Sequence, residues 1–220
     1  RINAAGRMEQ TNKAVELLLS EDEEEARELA EELDQLNTER RKIEQEISES
    51  IGEVIRQNPQ LLYERVLIVA GENWHQGVIG IIASKVVEKY GKPCVLISIN
   101  GEEAKGSARS VEGYSIVDAF SRCSRRLLRF GGHVMAAGMT LPAAEVEAFR
   151  QDLLKDAKER YHVMPSYGIK INMVVPVSQL TVNNVQQLEL LQPYGAGNEQ
   201  PVFGLIGVTV EGITPMGEGK

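Results

Sequence analysis

Four short constellations in the sequence could do phosphate chemistry. Gly106-Ser107-Ala108-Arg109-Ser110 sets a hydroxyl and a guanidinium two residues apart, which on a strand aims both at one ligand. An arginine fork grips a phosphate through two parallel hydrogen bonds; an edge strand with solvated polar groups is the plainer reading. Gly131-Gly132-His133-Val134-Met135-Ala136-Ala137-Gly138 surrounds one imidazole with small residues. They let something approach the backbone, and His133 can both donate and accept there; a tightly packed strand after a helix cap is the alternative. Glu72-Asn73-Trp74-His75-Gln76-Gly77-Val78-Ile79-Gly80 opens a helix directly after a strand, where free backbone N–H groups attract anions. Asn73, Trp74 and His75 would shape that pocket, or else Trp74 packs in the core beside a locally capped turn. Arg122, Arg125, Arg126 and Arg129 recur at the spacing of one helix face. With no acid between Asp118 and Glu145, that face is either a contact surface for a phosphate backbone or a surface paired with acids from elsewhere.

Other chemistries are missing from the sequence. His75, His133 and His162 are scattered and Cys94 and Cys123 isolated, so no metal-ligand spacing occurs. Neither a G-x-S-x-G nucleophile motif nor a Walker loop is present. Phosphate-gripping groups without metal ligands read as one half of an active site.

The elements that must position these groups follow from periodicity. Apolar residues from Leu29 to Val54 fall mostly three or four apart, predicting a helix over residues 26–56, on the order of 45 Å long. The acidic run 21–25 suits its start, where the helix dipole favours negative charge. Apolar runs predict strands at 66–70, 94–99, 105–110 and 135–141, and helices are expected at 77–90, 114–130 and 142–160. Strand–helix–strand alternation implies an α/β sandwich with part of its sheet parallel. Residues 169–175 and 202–210 carry β-branched strand signals, and the prolines and glycines between 193 and 201 form a long turn.

Charge partitions the chain of 220 residues unevenly. Its net charge of −8 taken whole argues against a nucleic-acid binder, since such domains are basic. Residues 1–64 carry net −9, residues 65–162 net +3 and residues 163–220 net −2, so the segment holding the phosphate-type motifs is the basic one. No apolar stretch approaches the length of a membrane span, so no membrane partner is expected. Two cysteines exclude a disulfide scaffold and suit a reducing, cytoplasmic setting. The chain opens at Arg1 without a methionine and closes at Gly217-Glu218-Gly219-Lys220 without a domain finish, and is expected to be a piece of something longer.

Asn73 to Gly80, Gly106 to Ser110 and Gly131 to Gly138 occur in the order seen in the RecJ family of bacterial single-strand-specific exonucleases, which the chain resembles. Arg1-Ile2-Asn3-Ala4-Ala5-Gly6-Arg7-Met8 is similar to that family's entry into its long connecting helix, and Leu191-Gln192-Pro193-Tyr194-Gly195-Ala196-Gly197-Asn198 to the entry of its oligonucleotide-binding barrel. The resemblance implies an α/β fold in three parts: a connecting segment and long helix (1–62), a DHH-associated α/β sandwich with a mixed sheet (63–162), and the truncated start of an OB-like barrel (163–220). It implies a 5′→3′ exonuclease on single-stranded DNA in recombination and repair. Manganese or magnesium would sit on an Asp-His-His domain that matches nothing here, so this chain alone is expected to be inactive and metal-free. Ser107 and Arg109, with Arg1 or Arg7, would grip the terminal 5′-phosphate. His133, beside Gly131 and Gly132, would meet the scissile phosphate, and the four arginines of 122–129 would guide the strand. A single-strand-binding protein and a helicase are implied partners, and a monomer at full length. A DHH phosphoesterase for short oligonucleotides or cyclic dinucleotides, and a stand-alone nucleic-acid-binding module, are the alternatives.

Overall fold

The computed structural model describes residues 1–214; the closing stretch Gly217-Glu218-Gly219-Lys220 lies outside the described residues. The chain divides into two compact units, Arg1–Tyr167 and Gly168–Lys220.

The first unit opens with two short helices, α1 (Ile2–Arg7) and α2 (Thr11–Leu19), where the sequence predicted none. Helix α3 (Glu23–Gln57) then runs 35 residues, about 52 Å. Asp22 caps it by accepting from the Glu25 N–H at 2.9 Å, with Glu23, Glu24 and Glu25 in the first turn, where they meet the positive end of the helix dipole. One helix serves two cores. Leu33 and Leu36 pack with Ala5 of α1 and Ala14 of α2, whereas Ile47, Ile51 and Ile55 join the main core under the sheet.

That sheet has five strands: β1 (Leu67–Glu72), β2 (Cys94–Asn100), β3 (Glu103–Arg109), β4 (Arg129–His133) and β5 (Ala136–Pro142), in the spatial order β1-β2-β3-β5-β4. Only the β1–β2 pair is parallel. The crossover between them is α4 (Gln76–Tyr90), stopped by Gly91 at φ +68°, a left-handed cap that glycine adopts without penalty. Helix α4 lies against β2 and β3. Across the sheet, α5 (Ile116–Arg122) and α6 (Val146–Arg160) cover the buried face of Ala137, Met139 and Leu141, with Phe120 and Phe149 meeting edge to face at 5.6 Å.

The predicted helix over 114–130 is the largest departure. Helix α5 ends at Arg122, a single 3-10 turn follows at Ser124–Arg126, and Arg129 already begins β4. Strand pairing decides this: Arg129 through His133 register against Thr140 through Ala136, and a helix over Gly131-Gly132 would lose that ladder. Arg122, Arg125, Arg126 and Arg129 therefore do not share a helix face.

In the second unit, strands are confined to β6 (Met173–Val174) and β7 (Phe203–Gly204), a parallel pair flanking α7 (Val182–Gln187). The longer strands expected over 169–175 and 202–210 are not formed among the described residues. Ile169, Ile206 and Val210 stay exposed, because a β-branched segment holds strand geometry only when a neighbour pairs with it. The turn at 193–198 is well tied: Tyr194 Oη donates to the Leu188 carbonyl at 2.6 Å, and Asn198 Nδ2 donates to those of Leu191 and Pro193 at 2.8 and 3.0 Å.

Candidate nucleic-acid interface

Strand register places the key groups in rows across one sheet face. Residues directly opposite in an antiparallel ladder point the same way. Arg109, Ala136 and His133 form one row, Ser107, Gly138 and Gly131 the next, and Lys105, Thr140 and Arg129 a third. Burial agrees: Ala104, Ala108, Ala137 and Met139 are buried on the other face, while Lys105, Gly138, Gly131, Arg129 and His133 are exposed. Side chains of β3 and β4 stand on either side of Ala136, Gly138 and Thr140 of β5, which makes a shallow trough with β3 and β4 as walls; β5, and Gly131 where β4 carries no side chain, form its floor. The walls stand about 10 Å apart at the backbone, two strand spacings.

At the β3 wall the trough meets the start of α4. A Cβ on Gly80 would lie 3.0 Å from Ser107 Oγ and 3.2 Å from Arg109 Nη2, and one on Gly77 only 2.0 Å from the Arg7 carbonyl oxygen. Glycine at these two positions lets α1, α4 and β3 converge. Arg109 Nη1 donates to the Ala108 carbonyl at 2.8 Å, and its approach to Ser107 Oγ at 3.4 Å is loose. Burial first, and then the like charge of Arg7, lower the Arg109 pKa from its usual value. Neither arginine has an acidic partner among the described residues. Like charges that act on one another without a counter-ion are the electrostatic setting that an anion relieves.

The β4 wall carries His133, whose imidazole makes no hydrogen bond among the described residues. Its backbone is nonetheless held, since the hairpin carbonyls of Val134 and Met135 accept from the N–H groups of Ile116 and Ser110 at 3.0 and 2.9 Å. Ser110 is itself buried, donating from Oγ to the Tyr114 carbonyl at 2.6 Å. Sequence reading missed this support. The glycines beside His133 differ in kind. Gly132 sits at φ +147°, and a Cβ there would strike the Ala136 carbonyl oxygen at 2.3 Å, whereas Gly131 has open space above it.

The other expected residues fall elsewhere. Arg1 pairs with Asp34 of α3 at 2.9 Å; of the two N-terminal arginines, Arg7 is the one whose charge acts on Arg109. Trp74 is buried with its ring over Gly71, and its carbonyl accepts from Ser98 Oγ at 2.7 Å. His75 caps α4, its Nδ1 accepting from the Gly77 N–H at 3.1 Å. Asn73 is exposed at φ +56°, and with Trp74 and His75 it lines a cavity of about 330 Å³ against Ile43, Glu46 and Ile47 of α3. These three residues shape the turn and its packing.

The arginines of 122–126 are neutralised by α6. Arg122 makes a bidentate pair with Asp156 at 2.7 and 2.8 Å. Arg125 and Arg126 share Asp152, and Arg126 also reaches Glu145 at 2.7 Å. Those acids stand far along the sequence, so no local spacing revealed them. Hydrogen bonds from Arg125 and then Arg126 hold the Asp152 carboxyl below its usual value. Burial pushes Asp156 upward, but hydrogen bonds from Arg122 and Arg160 outweigh it and leave that carboxyl lowered. Arg129, on the trough wall, has no ion-pair partner among the described residues.

Comparison with known proteins bears directly on this face. Residues 58–160 match the DHHA1 domain and residues 171–220 the RecJ OB domain. The whole chain aligns with the single-stranded-DNA-specific exonuclease RecJ of Bacillus subtilis at 38% identity and with that of Thermus thermophilus at 32%. The chain belongs to the RecJ family. It spans 28% and 31% of the lengths of those two RecJ proteins. The crystal structure of Thermus thermophilus RecJ in complex with Mn2+ superposes with a TM-score of 0.78 at 32% identity, over 93% of this chain and 30% of that one. The same RecJ has also been solved in complex with Mg2+. Among the described residues here, no group of three His, Cys, Asp or Glu side chains could hold a metal ion, so the RecJ metals do not fit this part. No helix among the described residues is long and apolar enough to cross a membrane.

Proposed function

We propose that this chain is the substrate-holding part of a 5′→3′ exonuclease specific for single-stranded DNA, acting in recombination and repair. The observation that carries the reading is the meeting of α1, α4 and β3 at Gly77 and Gly80, which brings the Arg7 backbone and the Ser107 and Arg109 side chains to one place, without an acidic partner for either arginine, in the row that ends at His133. The two guanidinium groups and the Ser107 hydroxyl would bind a terminal 5′-phosphate, which bears more charge than an internal diester. A strand anchored there would cross β5 beside Ala136 and bring its next phosphate toward His133. Its imidazole, held by the hairpin, would donate to a phosphate oxygen and stabilise charge that develops there. Manganese or magnesium, where present in a longer protein, would be bound outside these residues, and no step is assigned to them here. The match of residues 171–220 to the RecJ OB domain favours a strand of DNA over a cyclic dinucleotide, since OB domains bind oligonucleotides. A single-strand-binding protein and a helicase would supply the strand, in the cytoplasm, to a monomeric enzyme.

The test uses the protein as its gene encodes it. Arg109→Ala should remove most of the preference for 5′-phosphorylated over 5′-hydroxyl single strands. His133→Ala should lower kcat by about 10²-fold or more with little change in KM. Wild-type kinetics in both variants would refute the assignment.

A further inference from the structure

The trough continues past the groups that the proposed function uses. One row beyond Ser107 and Gly131 stand Lys105 and Arg129, on opposite walls, with Thr140 on the floor between them. Two residues along a strand advance about 7 Å, comparable with the separation of neighbouring phosphates in an extended single strand. Arg129 has no acidic partner among the described residues. Lys105 lies 3.3 Å from Glu103, a pair about half exposed on both sides, of the kind worth at most about 1 kcal/mol and readily exchanged for another anion.

The floor points the same way. Gly131 has nothing within 4 Å of where its Cβ would stand, and the nearest atom to one on Gly138 is the Gly106 carbonyl oxygen at 3.7 Å. Neither has a positive φ. The fold does not need glycine at these sites, and a strand glycine weakens the sheet unless something must come close to it. Four residues separate Arg129 from His133 on β4, about 13 Å, so a strand lying over this bare floor spans more than one phosphate.

We propose that Lys105 and Arg129, with the Thr140 hydroxyl between them, form a second phosphate subsite that holds the strand beyond the phosphate facing His133. It rests on the reading of this chain as a single-strand holder and adds a length requirement. A mononucleotide fills the Arg109 end alone, and a longer strand engages both ends.

The test measures fluorescence anisotropy of this chain with 3′-labelled, 5′-phosphorylated thymidylates, one a mononucleotide and one six nucleotides long. Lys105→Gln and Arg129→Gln should each weaken hexamer binding about three- to tenfold, an exposed charge-assisted contact, and leave the mononucleotide within about twofold. Each should also lower the slope of log affinity against log salt by about 0.7. Glu103→Gln should tighten the hexamer, a gain that misfolding cannot produce. Arg109→Gln should weaken both ligands. Hexamer affinity unchanged in Lys105→Gln and Arg129→Gln, or mononucleotide affinity falling equally, overturns the subsite while loss in Arg109→Gln preserves the functional reading. A wild-type chain that binds neither ligand overturns both.

Discussion

Replacing the trough glycines one at a time separates residues the fold requires from residues a ligand requires. Gly132→Ala forces a side chain into φ +147° with its Cβ 2.3 Å from the Ala136 carbonyl oxygen, costing about 1–3 kcal/mol from backbone strain alone. Gly131→Ala and Gly138→Ala meet no atom closer than 3.7 Å and should stabilise by about 0.5–1 kcal/mol, the usual penalty of glycine in a strand. The expected contrast between Gly132→Ala and the other two is therefore about 1.5–4 kcal/mol. Urea unfolding followed by the fluorescence of Trp74, the single and buried tryptophan, measures it directly. Oligonucleotide affinity should follow a different order. The methyl of Gly131→Ala or Gly138→Ala raises the floor by roughly 1.5 Å and should cost at least about fivefold in hexamer binding, since close backbone approach is lost. If either variant destabilises as much as Gly132→Ala, the floor is structural. If either is stable and binds as wild type does, no strand lies on it.

Two further outcomes follow from the charges. Arg7→Gln should reduce the preference for a 5′-phosphate in oligonucleotide competition, whereas Arg1→Gln, whose partner is Asp34, should leave it unchanged. The lowered Asp152 and Asp156 carboxyls contribute stability that is fully present above the ordinary aspartate value of 3.8 and is lost as pH falls through their depressed folded values. Asp152→Asn with Asp156→Asn should therefore lower Tm at neutral pH, with the difference from wild type shrinking in the acid limb. The same pair releases Arg122, Arg125 and Arg126 and should increase salt-sensitive binding to single strands.

Part of this geometry was legible wherever placement follows local spacing. The two-residue repeat of β3 put Ser107 and Arg109 on one side, and the same repeat reaches back to Lys105. The strand-to-helix turn at 72–76 and the left-handed cap at Gly91 were readable from residue type. The arginine run was misread because two long-range facts decide it: β5 draws Arg129 into a strand, and α6 supplies the acids for Arg122, Arg125 and Arg126. Helical spacing is a local argument and carries neither. Local spacing likewise did not give the meeting of Arg7 with α4, which only the family resemblance implied, since it depends on a chain reversal through α2 and on a Gly77 whose missing Cβ shows its use only in three dimensions. The packing of Trp74 on Gly71 and the capping of α4 by His75 are likewise contacts that the rarity of these residues does not reveal.

The grip is assembled from parts that belong to separate cores. Arg7 rides on α1, which is anchored through Ala5 to Leu33 and Leu36 at one end of α3. Arg109 is fixed to the sheet, whose core holds Ile47, Ile51 and Ile55 at the other end. A phosphate bridging the two arginines would add a second tie between these cores beside the contact of α1 with α4 at Gly77. By thermodynamic linkage, the phosphate would hold α1 on the sheet by as much free energy as holding α1 there tightens the phosphate.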